Sequence, residues 1–195
     1  IFDTWRGTAE RYGFREYDGP PIEELDLYTK KSGDEIVGQL YNFTDKGDRN
    51  VSLRPEMTPT LARMAAAHTR NYKKPIKWFS IPQLFRYERQ QKGRLREHFQ
   101  FNADIIGEEH LAADAELIAL LIDSLRDLKL TSDDFVVRLS SRRAWQDFFE
   151  NGGGQEKDAN DFYQIIDKLE REDPAVSGDK LAKLGFSLEQ VNDFI

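Results

Sequence analysis

The sequence predicts an α+β fold, an antiparallel sheet flanked by helices with a helical segment after it. Three observations predict it. Residues 98–105 alternate strictly: His98, Gln100, Asn102 and Asp104 on one face, Phe99, Phe101, Ala103 and Ile105 on the other. That period of two is a strand with one polar and one apolar face. Residues 2–12 and 111–128 instead carry apolar residues at helical spacing. Beyond Asn151-Gly152-Gly153-Gly154 the strand signals stop and short polar helices follow. A division is therefore expected near residue 150, with 1–150 as the sheet domain and 151–195 as the helical segment.

The elements read in order as follows. Phe2, Trp5, Ala9 and Tyr12 stripe a first helix that Gly13 ends. Phe14–Tyr17 starts an extended piece, and Asp18-Gly19-Pro20-Pro21 makes a turn or edge. Ile22–Tyr28 follows, then the mixed stretch 34–40. Residues 40–44 and 50–54 read as a hairpin around Asp45-Lys46-Gly47-Asp48. Thr58 is expected to cap a helix with Pro59 at its first position and Leu61, Met64, Ala65 and His68 as its buried stripe. Residues 76–81 read as a strand. The hairpin Phe85–Gly107 comes next, then the long helix with Leu117, Leu120, Leu121, Leu125 and Leu128. Asp133-Asp134 marks a turn, and Phe135–Leu139 reads as a strand. Ser140 or Ser141 caps a helix bearing Trp145, Phe148 and Phe149. Residues 158–172 and 178–195 read as the last helices.

Composition narrows the function. The chain has 195 residues, 39% hydrophobic and 32% charged, which suits a globular protein with a sizeable core. No apolar run approaches the roughly 20 residues of a membrane span, and the charged opening IFDTWRGTAERYGF is no signal peptide. With no cysteine there are no disulfides or thiolate metal sites, which fits a reducing cytoplasm. The net charge of −7 gives no global attraction to nucleic acid. One local basic site stands out, Arg86, Arg89, Lys92, Arg94 and Arg96 against Glu88 and Glu97. A polar strand face under such a loop suits a large anionic ligand with a specific head group. His68 and His110 have no partner at metal-binding spacing, so no metal site is expected. The glycines at 152–154 lack the Lys-Ser/Thr pair of a phosphate loop.

The run Arg86, Glu88, Gln91-Lys92-Gly93-Arg94, Arg96 and Gln100 resembles motif 2 of class II aminoacyl-tRNA synthetases, in particular the histidyl-tRNA synthetases. Other pieces follow in matching order: Gly19-Pro20 and Glu23 resemble motif 1, LYNFTDKGDRNVSLRPEMTP resembles a strand pair and a substrate loop, and Asp114-Ala115-Glu116 resembles the helix after motif 2. Ile165–Leu169 resembles part of the family's helical insertion. The resemblance covers most of residues 1–170. It implies a class II catalytic core that activates histidine with ATP and passes it to tRNA, a homodimer through motif 1, and Mg²⁺ arriving with ATP. Motif 3 and an anticodon-binding domain have no counterpart before residue 195, which implies a part of an enzyme, inactive alone.

The resemblance also assigns roles. Arg86 meets the ATP α-phosphate, because a guanidinium forks onto phosphate and favours the charge that builds during attack. Its blander reading is an ion pair with Glu88 or across the strands. Glu88 accepts from the adenine amino group or helps hold a divalent ion, Arg94 reaches the γ-phosphate, and His98 stacks on adenine. Glu56, Thr58, Gln100 and Asp104 gather around histidine, since a cationic amine needs acceptors. The blander reading of Asp104 is a solvent-facing strand edge. The chain departs from the family pattern at four places: His98-Phe99 replaces Phe-His, Asp104 replaces Glu, Gln90 replaces Pro, and Met57 replaces Gly. Two rivals remain at this point. One is the synthetase-like, non-catalytic regulatory subunit of ATP phosphoribosyltransferase, and the other is a threonine or proline enzyme of the same subgroup.

Overall fold

The computed structural model describes residues 1–30, 34–89 and 92–194. Among these the chain forms two compact units, Ile1–Val136 and Val137–Ile195. The composition shift near residue 150 therefore falls inside the second unit, whose core already includes Trp145 and Phe149.

In the first unit, α1 (Phe2–Arg11) leads into β1 (Arg15–Glu16) and β2 (Ile22–Glu24), then the short helices α2 (Leu25–Thr29) and α3 (Asp34–Val37). The expected hairpin is β3 (Asn42–Thr44) with β4 (Asn50–Leu53), and β2 joins it to give the order β2-β4-β3. The helix α4 (Thr58–His68) begins one residue earlier than its sequence signal. The carbonyl of buried Met57 accepts from Leu61 N–H at 3.0 Å, so Met57 is the cap and Thr58 is already helical. Its buried stripe is Thr60, Leu61 and Ala65. His68 is exposed, edge-on to Tyr72. Gly19 packs so close to this helix that a Cβ there would sit 2.5 Å from Thr60 Cγ2.

The main hairpin is longer than expected. β5 (Ile76–Ser80) pairs with β8 (Asn102–Ile106), and β6 (Gln83–Phe85) pairs with β7 (Glu97–Phe99). Both pairings keep one register, so residues 76–85 are a single arm facing 97–106. The strand expected at 76–81 and the hairpin expected from Phe85 are parts of one element. Pro82 interrupts it because proline has no N–H for the ladder. Its carbonyl still accepts from Gln100 N–H at 3.2 Å, in the middle of the gap. Gly107 closes the hairpin with φ +84°, a conformation glycine adopts freely. β1 adds in parallel along β5.

α5 (Ala112–Asp127) packs with α1 behind this sheet, where Ala9, Phe14, Phe79 and Leu120 form a buried cluster. Phe101, Ala103 and Ile105 pack against it, as the alternation predicts. Residues 135–139 form no strand. Their β-branched residues favour extension, but a strand also needs a neighbour to complete its ladder, and no described strand pairs with them.

The second unit is helical: α6 (Arg142–Asn151), α7 (Ala159–Lys168), α8 (Pro174–Lys183) and α9 (Leu188–Phe194). Ser141 caps α6 by accepting from Ala144 N–H at 3.3 Å, while Ser140 accepts from the Trp145 indole at 3.2 Å. Gly178 lies inside α8 rather than at its start. The start is Asp173-Pro174, with the Asp173 carboxylate accepting from Ala175 N–H at 2.8 Å. Trp145, Phe149, Phe162, Ile165, Leu181, Phe186 and Val191 form the core.

Candidate active site

Residues opposite each other on antiparallel strands share a face. Trp78 and Ser80 therefore project with Asp104 and Asn102, away from the helix-packed side that holds Phe79 and Ala103. Tyr17, just beyond β1, joins this polar face, its ring 5.4 Å from Trp78 and its N–H bonded to Phe79 O at 2.9 Å. Along the same arm, alternate positions carry Gln100, which is exposed, and His98, which is half-buried opposite Leu84. The predicted line His98, Gln100, Asn102, Asp104 thus survives the Pro82 gap. Asp104 is half-buried with no ion-pair or hydrogen-bond partner among the described residues, and burial raises its carboxyl pKa. His98 is shifted down, first by burial and then by the Arg86 cation, with Glu88 opposing.

A second segment is tied alongside this arm. Arg54, 4% exposed, reaches Gln83 O at 2.9 Å, Gly19 O at 2.8 Å and the Asp18 carboxylate at 2.7 Å. Phe85 N–H donates to Arg54 O at 2.9 Å, and Arg86 Nε to Pro55 O at 3.0 Å. These bonds fix residues 54–58, and with them half-buried Glu56 and exposed Thr58, beside β6. Because Met57 occupies the cap position, the Thr58 hydroxyl is not used as a cap. The Arg54 clamp was missed as a role: the sequence shows only an Arg before Pro55, whereas the clamp depends on three distant segments meeting. That Tyr17 joins Ser80 on this face is also not readable from the sequence, because it depends on β1 running parallel to β5.

The cations are sorted by the fold. Glu88 pairs with Arg94 at 2.9 Å, and the Arg86–Glu88 ion pair of the blander reading does not form. Arg86 has no carboxylate partner among the described residues. Its Nε is spent on Pro55, which aims the rest of a half-buried guanidinium. Arg96 stacks on Tyr87 at 3.9 Å and packs rather than floating free, whereas Arg89 and Lys92 are exposed. Gln90 and Gln91 lie outside the described residues. No group of three His, Asp or Glu among the described residues is arranged to hold a metal ion.

An antiparallel hairpin with an arginine fixed by Pro55 O, backed by two helices, marks the chain, with its structural relatives, as part of a class II aminoacyl-tRNA synthetase catalytic domain. The histidyl-tRNA synthetase model matches residues 1–182. The chain belongs to the histidyl-tRNA synthetase family. It is 52% identical over 171 residues to a histidine–tRNA ligase of Opitutus terrae, covering 88% of this chain and 39% of that protein. It is 43% identical over 192 residues to that of Haloarcula marismortui, covering 98% and 44%. The crystal structure of histidyl-tRNA synthetase from Nostoc sp. superposes with a TM-score of 0.79 at 26% identity, over 98% of this chain and 42% of that one. The chain thus spans about two fifths of the length of these relatives. No helix among the described residues is long and apolar enough to cross a membrane.

Proposed function

We propose that the full-length protein joins histidine to ATP, releasing pyrophosphate and forming histidyl-adenylate, and then transfers the histidyl group to tRNA in the cytoplasm. The observation that carries this reading is Arg86, a half-buried guanidinium held by Pro55 O, without a carboxylate partner among the described residues, on the same hairpin whose facing arm presents Gln100 and Asp104. Histidine's own carboxylate attacks the α-phosphorus, and Arg86 stabilises the charge on the phosphoryl oxygens. The chain contributes positioning and electrostatics rather than a nucleophile. Glu56, Thr58, Gln100 and Asp104 receive the amino group and the imidazole. His98 lies against adenine and Glu88 near its amino group. Arg94, the exposed partner of the pair, reaches the γ-phosphate by leaving half-buried Glu88. Mg²⁺ enters as part of the ATP substrate, with phosphate and water as most of its ligands. The first unit supplies one wall of the catalytic site, residues 151–195 of the second belong to the insertion, and the enzyme is a homodimer through the motif 1 region, where Ile22 is exposed. The non-catalytic regulatory reading is disfavoured by relatives at 43–52% identity that are ligases.

The test is amino-acid-dependent ATP–pyrophosphate exchange by the full-length protein. Histidine should be selected, and Arg86→Ala should lower exchange by about 10²–10³-fold, as for loss of a charge-stabilising donor. Preference for another amino acid, or near wild-type exchange by the variant, would sink the proposal.

A further inference from the structure

Two side-chain hydroxyls are buried without a hydrogen-bond partner among the described residues, those of Tyr17 and Ser80, and both lie on the polar face that holds Asp104. Ser80 is 0% exposed, and the Tyr17 ring is pinned against Trp78. Buried polar atoms are normally paired, and orphans gather where a ligand or ordered water completes them. We infer that Tyr17 and Ser80 are specificity residues of the amino-acid pocket, their hydroxyls meeting the polar edge of the substrate side chain beside Asp104. This rests on the reading of Asp104 as part of the histidine site.

The three groups are chemically complementary to a nitrogen heterocycle. A carboxylate only accepts, so Asp104 suits a ring N–H. A phenol donates as well as accepts, so Tyr17 suits a second, unprotonated ring nitrogen. Tyr17 stays a phenol at any working pH: burial pushes it up to about 12, opposed by the Ser80 hydroxyl, which lies near the Tyr17 hydroxyl without completing a hydrogen bond to it, while the charges of Asp104 and Asp18 add to the rise. Ser80 has a hydroxyl that turns to serve either partner. A ring of the same size without nitrogen would leave all three groups unpaired, and a site built this way rejects it strongly.

Tyr17→Phe and Ser80→Ala in the full-length protein test this. Each removes one oxygen, and Tyr17→Phe keeps the ring on Trp78. Each should raise KM for histidine in pyrophosphate exchange about 5–10-fold, the effect of one hydrogen bond, with KM for ATP unchanged. Each should also narrow the preference for histidine over 2-thienylalanine, whose ring has no nitrogen. If one variant fails to fold, the other reads the same quantities. Wild-type KM and unaltered discrimination in the folded variants would overturn the inference, as would a fall in kcat alone. Failure of the wild type to use histidine would instead overturn the functional proposal.

Discussion

The two faces of the β1-β5-β8 sheet are built from the same strands and differ in almost every other respect. On the face toward α1 and α5, Phe79 is fully buried and Phe101, Ala103 and Ile105 close around it. Even Lys77, on that side, is consumed, pairing with Glu116 and with the Tyr12 carbonyl. On the other face Asp104 has no partner among the described residues and the Tyr17 and Ser80 hydroxyls are orphaned. The first face stabilises the fold by removing apolar surface from water. The second gives up some of that stability, because buried groups without partners cost free energy. The fold alone does not explain this difference, and the proposed amino-acid site accounts for it.

The largest way to break this comparison is on the packed face. Phe79→Ala should destabilise the protein by about 3–5 kcal/mol, the usual cost of deleting a buried aromatic ring. Urea denaturation followed by circular dichroism measures it. A loss under about 1 kcal/mol would mean that this face is not the core. The corresponding change on the polar face should have the opposite signature. Asp104→Asn should raise KM for histidine about 10–100-fold, the worth of a hydrogen bond to a charged group, and leave stability at pH 7 equal or higher. The sign follows from burial. The carboxyl pKa is raised in the folded state, so the folded protein binds the proton more readily than the unfolded chain, and ionised Asp104 costs stability above its raised pKa. The stability difference between variant and wild type should shrink as pH falls through that range. A marked loss of stability on Asp104→Asn would make Asp104 structural.

Much of this was legible in the sequence because local pattern and tertiary context agree. The α1 helix, the α5 helix with buried Leu120 though with Leu121 exposed, the hairpin around Asp45–Asp48 and the alternation of 102–105 carry over into the fold. What was not legible depends on partners distant in sequence. Residues 135–139 have strand composition but no described neighbour to pair with. Pro82 divides one arm so that it reads as two elements. The Asp173-Pro174 start of α8 was present as a cap followed by a first-turn proline, yet the polar surroundings obscured it. In the site, the resemblance supplied Arg86 and the loop at 54–58. The blander ion pair of Arg86 with Glu88 does not form, because the fold gives Glu88 to Arg94.

The smallest effect lies at His98, where the polar line continues beyond the Pro82 gap. Its pKa is held down by burial and by Arg86, so it is neutral at pH 7 and the unfolded chain takes up its proton first as pH falls. A folded-state pKa below the unfolded one means stability that is present above the unfolded value and lost as pH falls through the folded value. His98→Gln removes this loss. Thermal midpoints of both proteins between pH 8 and pH 5 should therefore converge, or cross in favour of the variant, toward low pH. If the variant instead falls behind as pH drops, protonated His98 is being stabilised by Glu88 more than it is disfavoured by burial and Arg86. The line of polar residues would then divide at Pro82 into a cation-accepting end and an uncharged one, which would move His98 from the adenine side of the proposed site to the Glu88–Arg94 pair.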